Sequence, residues 1–323
     1  MKWVAIVLAI FIAAAGQQVA ALDERVCAGG DTLHGVAAEW ARLLEQLKPD
    51  YRVRITTEAK LSADGFSGVR DGTAICALFV RELFASEQAA FFARFGYEPL
   101  LIPVGGGSYA TKGGTHAIAI YVNAANPLER LTLAQLRDVF TGAASRWGDL
   151  GVGGAWATRP IALYGMLRAR QTGDPPGIVN YLQNRVMGGA SFRPDLNEQK
   201  DSASEGALSA IVRHVAEDTS GIGYSGFGFA QPGTKTLLIA ENARGPFLAG
   251  TSAEVADRSY PLSRLIYVLV NRAPSQPIDP VIGAYIDVAL SAAGQKTLVQ
   301  SRTNFLPLTD SERRHALSLI APP

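Results

Sequence analysis

Four histidines, His34, His116, His214 and His315, are spread along a chain of 323 residues. No two of them stand four apart, the spacing that would set two imidazoles of one helix on a metal ion. No Gly-x-Ser-x-Gly turn presents a serine nucleophile; Tyr224-Ser225-Gly226-Phe227-Gly228 reads as strand. Gly105-Gly106-Gly107 lacks the Lys-Ser/Thr that a nucleotide phosphate loop places after its glycines. Nucleophile, base and orienting group are nowhere assembled, so the residues predict a binding protein rather than an enzyme, without metal or cofactor. The pattern richest in chemistry is Gly29-Gly30-Asp31-Thr32. Asp31 or Thr32 is a good N-cap for the apolar-periodic run that follows, which leaves backbone N–H groups free at a helix start.

Those groups need a scaffold, and the apolar pattern describes one. After Val26-Cys27-Ala28 comes a helix from about Leu33 to Leu47, with Val36, Trp40, Leu43, Leu44 and Leu47 at helical spacing. Tyr51–Thr57 alternates as a strand, Thr73–Val80 runs as a buried parallel strand, and Ser86–Phe95 reads as helix. Phe84, Phe91, Phe92 and Phe95 belong to its packing. The style continues with strands at Leu100–Val104, Ala117–Val122, Ile161–Tyr164 and Arg264–Val270. Between and after them lie helices at Thr132–Phe140, Gly177–Val186, Asp279–Ser291 and Ala293–Gln300. Alternating strands and helices predict parallel sheets with ligands at the carboxyl ends of the strands. The glycines from Val104 to Gly114 read as a flexible crossing between two lobes. Lys+Arg at 30 against Asp+Glu at 29 leave no basic surplus for a nucleic-acid partner.

Lys2, the apolar stretch Trp3–Ala15 and the small residues before Ala21 predict a cleavable secretory signal over residues 1–21, and so a periplasmic protein. In that oxidising setting Cys27 and Cys76 form a disulfide or remain two buried thiols; the spacing alone leaves both open.

Several segments resemble the phosphate-binding proteins of phosphate ABC importers, a branch of the type II periplasmic solute-binding proteins. They are Gly29-Gly30-Asp31-Thr32-Leu33, Tyr121-Val122-Asn123-Ala124-Ala125-Asn126-Pro127-Leu128, Leu133–Gly142, Trp147-Gly148-Asp149-Leu150-Gly151, Gly221–Gly226, Tyr260-Pro261-Leu262-Ser263-Arg264 and Phe305-Leu306-Pro307-Leu308. The resemblance implies an α/β, two-lobed type II periplasmic binding protein fold, with mixed or parallel sheets flanked by helices and two hinge crossings. Lobe I would be residues 22–115 plus 230–323 and lobe II residues 116–229. The crossings would lie near His116–Val122 and Gly221–Phe229. The resemblance further implies a small anion such as phosphate as ligand, permease subunits of an ABC importer as partners, and a monomer.

By the same resemblance the ligand residues are Asp31, Thr32, Ser62 and Arg81 on one lobe and Arg168, Thr172 and Gly173 on the other. The pattern is degenerate. Ile75-Cys76-Ala77-Leu78-Phe79-Val80-Arg81 keeps the family's arginine but replaces an aspartate and a serine by apolar residues. His116 stands where relatives commonly carry an acid, and Asp174 where a hydroxyl belongs. Pro175 and Pro176 remove amide donors from the second-lobe loop. Two further readings therefore stand beside the oxyanion carrier: a remodelled site for another ligand, and an envelope interaction protein whose cleft is filled by Val80 or Pro175.

Overall fold

In the computed structural model, residues 23–170, 173–199 and 204–322 are described, and the expected signal segment lies outside them. The strands are β1 (Asp23–Ala28), β2 (Tyr51–Ile55), β3 (Cys76–Phe79), β4 (Leu100–Ser108), β5 (Ile118–Asn123), β6 (Arg130–Thr132) and β7 (Ala162–Met166). They continue with β8 (Asn197–Gln199), β9 (Gly221–Gly226), β10 (Thr234–Thr236), β11 (Leu238–Ala240), β12 (Leu265–Val270) and β13 (Phe305–Leu306). The helices are α1 (His34–Leu47), α2 (Ser62–Asp71), α3 (Ala85–Phe95), α4 (Leu133–Thr141) and α5 (Gly177–Arg185). After them come α6 (Ser204–Glu217), α7 (Ser252–Ala256), α8 (Pro280–Leu290), α9 (Ala292–Gln300) and α10 (Asp310–Ile320).

Two sheets divide the strands. The first has the order β13-β4-β12-β3-β1-β2 and the second β10-β5-β9-β7-β8, while β6 and β11 form a separate pair. β1 runs parallel to β2 and β3, but β12 lies antiparallel between β3 and β4, so the sheet is mixed rather than purely parallel. The second sheet is mixed as well, with β7 parallel to β8 and β9, and β5 antiparallel to β9. Each sheet has its own core. Trp40, Tyr285, Ile266 and Leu298 pack on the first, and Phe140, Trp147, Tyr224 and Ile211 on the second, all fully buried. Local chemistry starts the helices: Thr132 and Gln135 close a capping box at α4, and Asp279 caps α8 with Pro280 in its first turn.

Two expectations change. Val104–Ser108 is not a flexible crossing but the buried second half of β4. Its glycines answer to crowding, since a Cβ on Gly107 would strike the Thr115 carbonyl. The chain leaves the first sheet after Ser108 and enters the second at Ile118. The second crossing is not at 221–229, because β9 sits inside the second sheet and β10 then pairs with β5. Leu237, Ile239, Val255, Tyr260 and Leu262 join that sheet's core, so residues 230–262 side with the second lobe rather than the first. The return is at Leu262–Arg264, beside the first crossing: Ile118 N donates to Leu262 O at 3.1 Å and Gly107 N to Arg264 O at 2.8 Å. Ser62, expected among the ligand residues, opens α2.

Cys27 and Cys76 are joined by a disulfide. They stand in direct register on the adjacent parallel strands β1 and β3, with Cα atoms 4.6 Å apart, and both are fully buried.

Candidate functional site

A cleft of about 310 Å³ opens between the two sheets at the carboxyl ends of β1, β3 and β7. The first sheet contributes Asp31, Thr32, Ser62, Val80, Arg81 and Phe84 to its walls. The second contributes Met166, Arg170, Pro176, Gly177, Ile178 and Leu208. The crossings supply Thr115, His116 and Arg264 to the floor. Val80 lines this space without filling it. At the mouth, Asp31, Thr32, Gly113 and Glu205 are shared with a second, more open groove of about 790 Å³.

The first wall is built by a tight turn. Gly30 holds φ at 54°, and a Cβ there would come within 2.6 Å of the Leu78 carbonyl oxygen. Only glycine combines that backbone with such close approach to β3, and the turn delivers Asp31 and Thr32 to the start of α1. Thr32 Oγ1 is buried and has no partner among the described residues. Ser62 faces inward at the start of α2, but its oxygen already accepts a hydrogen bond from Val80 N at 3.1 Å.

Arg81 is in the cleft wall, yet its charge is spoken for. Its guanidinium makes a two-pronged contact with Glu87 at 2.8 and 2.5 Å and stacks 3.6 Å from the centre of the Phe84 ring. Both partners of this pair are buried. Arg81 therefore shapes the wall and leaves little net charge for a guest.

On the second wall the guanidinium at hand is not the one expected. Arg168 Nε donates to Glu198 Oε1 at 2.8 Å and Nη1 to Arg193 O at 3.2 Å, which turns the side chain to the neighbouring strand β8 and away from the cleft. Arg170 takes the place instead. Its side chain makes no hydrogen bond among the described residues, and it titrates below the usual arginine range because of burial and the facing charge of Arg81. It remains charged at any physiological pH. Gly173 does not reach the cleft. It is exposed with φ at 88° and donates its N–H to Arg170 O at 2.9 Å, so it serves the turn that holds Arg170. Thr172 lies outside the described residues. Asp174 does not face a guest either; it accepts a hydrogen bond from Ser86 Oγ at 2.6 Å, across the gap between the sheets.

Three further features were not read from the sequence as ligand groups. Pro176 starts α5 with no side-chain cap, so the first-turn amides at Gly177 and Ile178 remain open to a guest at the positive end of the helix. Pro175 and Pro176 thus remove two donors yet aim the next ones. Arg264 is buried, donates to Glu82 Oε2 at 3.1 Å, and keeps Nε without a partner. His116 is buried; Nδ1 lies 3.1 Å from Ala117 O. Its titration is pulled down to about 4, mainly by burial, with Arg264 adding to the shift and the Ala117 hydrogen bond opposing it. The only sequence hint for Arg264 was its place in the Tyr260–Arg264 segment.

A model of the PBP superfamily domain matches residues 15–293. The phosphate-binding protein PstS of Pseudomonas aeruginosa is 31% identical over 288 residues, covering 87% of this chain and 81% of that protein. Protein SphX of Synechocystis sp. is 26% identical over 203 residues, 60% of this chain and 55% of that protein. Among solved structures, an ABC-type phosphate transport receptor from Vibrio cholerae matches with a TM-score of 0.55 at 19% identity, over 88% of this chain and 100% of that one. PstS from Borrelia burgdorferi matches at 0.56 and 17% identity, over 88% of this chain and 99% of that one. The fold is the mixed α/β fold of type II periplasmic binding proteins.

Proposed function

The chain belongs to the PBP superfamily domain family, and on that premise we propose that it is the solute-binding component of a phosphate ABC importer, holding phosphate or a similar small oxyanion in the cleft. One observation carries the ligand class: Arg170 brings to the cleft a guanidinium that makes no side-chain hydrogen bond among the described residues. With Arg81 neutralised by Glu87, the Arg170 guanidinium is the charge that an anion in the cleft would answer. The open amides of α5 add donors on one wall, and Thr32 and Arg264, which also line the cleft, keep Oγ1 and Nε buried without a partner among the described residues. Such a convergence closes two lobes on a guest and performs no bond chemistry, which fits a carrier and not an enzyme.

On this reading the described residues of 23–108 and 265–322 make one lobe and those of 118–262 the other, with the crossings between them as the hinge. The likeness to a phosphate-binding protein and to an ABC-type phosphate transport receptor supports permease subunits as partners and a periplasmic location. Among the described residues no helix is long and apolar enough to cross a membrane. A single chain supplies both walls, so a monomer suffices.

Titration calorimetry with phosphate tests the proposal. Binding is expected, and Arg170→Ala should weaken it about 10- to 100-fold, the loss of a charge-assisted hydrogen bond to a desolvated anion. Arg168→Ala, tied to Glu198 instead, should leave affinity nearly unchanged. Absence of heat with phosphate and other oxyanions would sink the reading.

A further inference from the structure

We propose that the preferred guest is an organic oxyanion: the cleft takes a phosphoryl dianion bearing one apolar substituent, a phosphonate or a phosphate monoester, with the anion at the start of α5 and the substituent against Val80 and the apolar side chains around it. This deepens the reading of the cleft as an oxyanion site and rests on it.

The cleft is large for a bare ion. It holds about 310 Å³ although its lips already touch, with Ser86 Oγ donating to Asp174 Oδ1 at 2.6 Å and Asn180 Nδ2 to Leu83 O at 3.1 Å. Pockets that enclose organic ligands start at roughly 300 Å³, far more than a tetrahedral ion of five heavy atoms fills. The two walls are also unlike. Arg170 and the first-turn amides at Gly177 and Ile178 belong to the second wall. The first wall faces them with Val80 and Phe84, and its Arg81 is already matched by Glu87. Besides the exposed Asp31 and Lys60, its polar side chains among the described residues are the hydroxyls of Thr32 and Ser62. Val80 is held in place on that wall: its N donates to Ser62 Oγ at 3.1 Å and its carbonyl accepts from the Thr115 hydroxyl. Met166, Ile178 and Leu208 carry the apolar lining onto the second wall.

A bare phosphate has four oxygens, and each needs a donor once water is excluded. An oxygen turned toward Val80 finds none there and loses its hydration without replacement. A carbon in that position has no hydrogen bond to lose and gains from contact with the apolar wall. A phosphonate therefore keeps three oxygens for Arg170 and the amides and sets its substituent where the donors end; a monoester does the same one atom further out. Leu61, 59% exposed just before α2, also lines the cleft and gives a longer substituent an apolar surface to follow toward solvent.

Calorimetry at pH 8.5, where phosphate and its substituted relatives are largely dianions, compares inorganic phosphate with methyl-, propyl- and phenylphosphonate and with phenyl phosphate. Affinity should rise about fourfold for each methylene the wall buries, so propylphosphonate or phenylphosphonate should bind at least about tenfold more tightly than phosphate. Phenylphosphonate against phenyl phosphate separates the two sources: either one binding above phosphate supports the proposal, and the tighter of them names the class. Val80→Thr keeps the shape of the side chain and puts a hydroxyl on the apolar wall. The preference for the substituted anion should then fall at least about fivefold, through weaker organic binding with phosphate unchanged or tighter. Met166→Gln makes the same test from the opposite wall, and carries it if a lowered melting temperature shows that Val80→Thr has damaged the fold. Phosphate binding as tightly as every substituted anion, or both variants leaving the preference unchanged, overturns the organic substituent and leaves the oxyanion cleft standing. No heat from the wild type with any of these anions overturns both.

Discussion

At the scale of single residues, charge balance decides which groups in the cleft are free to act. Arg81 and Arg264 face Glu87 and Glu82, Arg168 has Glu198, and Arg170 alone among these arginines makes no side-chain hydrogen bond with the described residues. The sequence run Arg168-Ala169-Arg170 could not separate the last two, because the carboxylate that claims Arg168 lies thirty residues further on, in a three-residue strand without apolar periodicity. Glu87 hid in the same way: it reads as an ordinary first-turn acid of α3, and only the fold brings Arg81 onto it. His116 leaves a mark on stability. In the native protein it titrates near 4, against 6.5 for an unperturbed histidine. Between those values the unfolded chain holds more protons than the native one, so stability is full above pH 6.5 and is lost as pH falls through the window. The complete loss from this group is roughly 3 kcal/mol. Urea denaturation at pH 7.5, 5.5 and 4.5 should therefore show a pH slope in the wild type that is reduced in His116→Phe. Parallel slopes would mean that His116 is not held neutral by burial.

At the scale of elements, the continuous apolar runs announced their strands and the capped amphipathic stretches their helices, which is why β3, β5, α1, α4, α8 and α9 were legible to within a few residues. What escaped reading had weak local signals. The Thr-Lys-Thr of β10 has no apolar alternation, and its place on β5 comes from backbone pairing alone. Helix α2 has two glycines among ten residues, which hide its periodicity. The disulfide was open for a different reason: two buried apolar strands accommodate thiols or a bridge equally well until their register is known. The observed register places Cys27 beside Cys76 and closes a loop with a sequence separation of 49. Restricting the unfolded chain over such a loop is worth about 4 kcal/mol in the chain-entropy picture. Cys27→Ala with Cys76→Ala should lower the stability measured in guanidinium by about 2–4 kcal/mol, since buried alanines recover little of the lost packing. Phosphate affinity should change little, because the pair is sealed in the core behind the cleft wall. A stability change under about 1 kcal/mol would show that the bridge does not constrain the unfolded chain.

At the scale of the whole molecule, the two lobes touch through bonds that need no guest. Ser86 Oγ donates to Asp174 at 2.6 Å, Asn180 Nδ2 to Leu83 O at 3.1 Å, and Tyr181 OH to Ser263 O at 2.8 Å. The last two hold the floor near the hinge and are buried in part, whereas Ser86–Asp174 is exposed and sits across the gap. It is the contact most readily exchanged with water, and so the one through which closure is adjusted. A hydrogen bond of this kind contributes about 0.5–1.5 kcal/mol, enough to change the closed-to-open ratio by roughly 2- to 12-fold. Ligand affinity scales with the closed fraction when only the closed form grips the guest. Asp174→Ala should therefore raise the radius of gyration of the ligand-free protein in small-angle X-ray scattering, with phosphate returning it to the wild-type value. Phosphate affinity should fall by the same few-fold factor, and mainly through faster release, since the anion-facing donors are untouched. The same substitution also removes a carboxylate near Arg170, which by charge alone would strengthen anion binding, so the two accounts predict opposite signs. Weaker binding with a larger free-state radius identifies a closing contact; tighter binding with an unchanged radius would show that Asp174 acts on the guest through its charge and that the lobes are held by the hinge-side bonds alone.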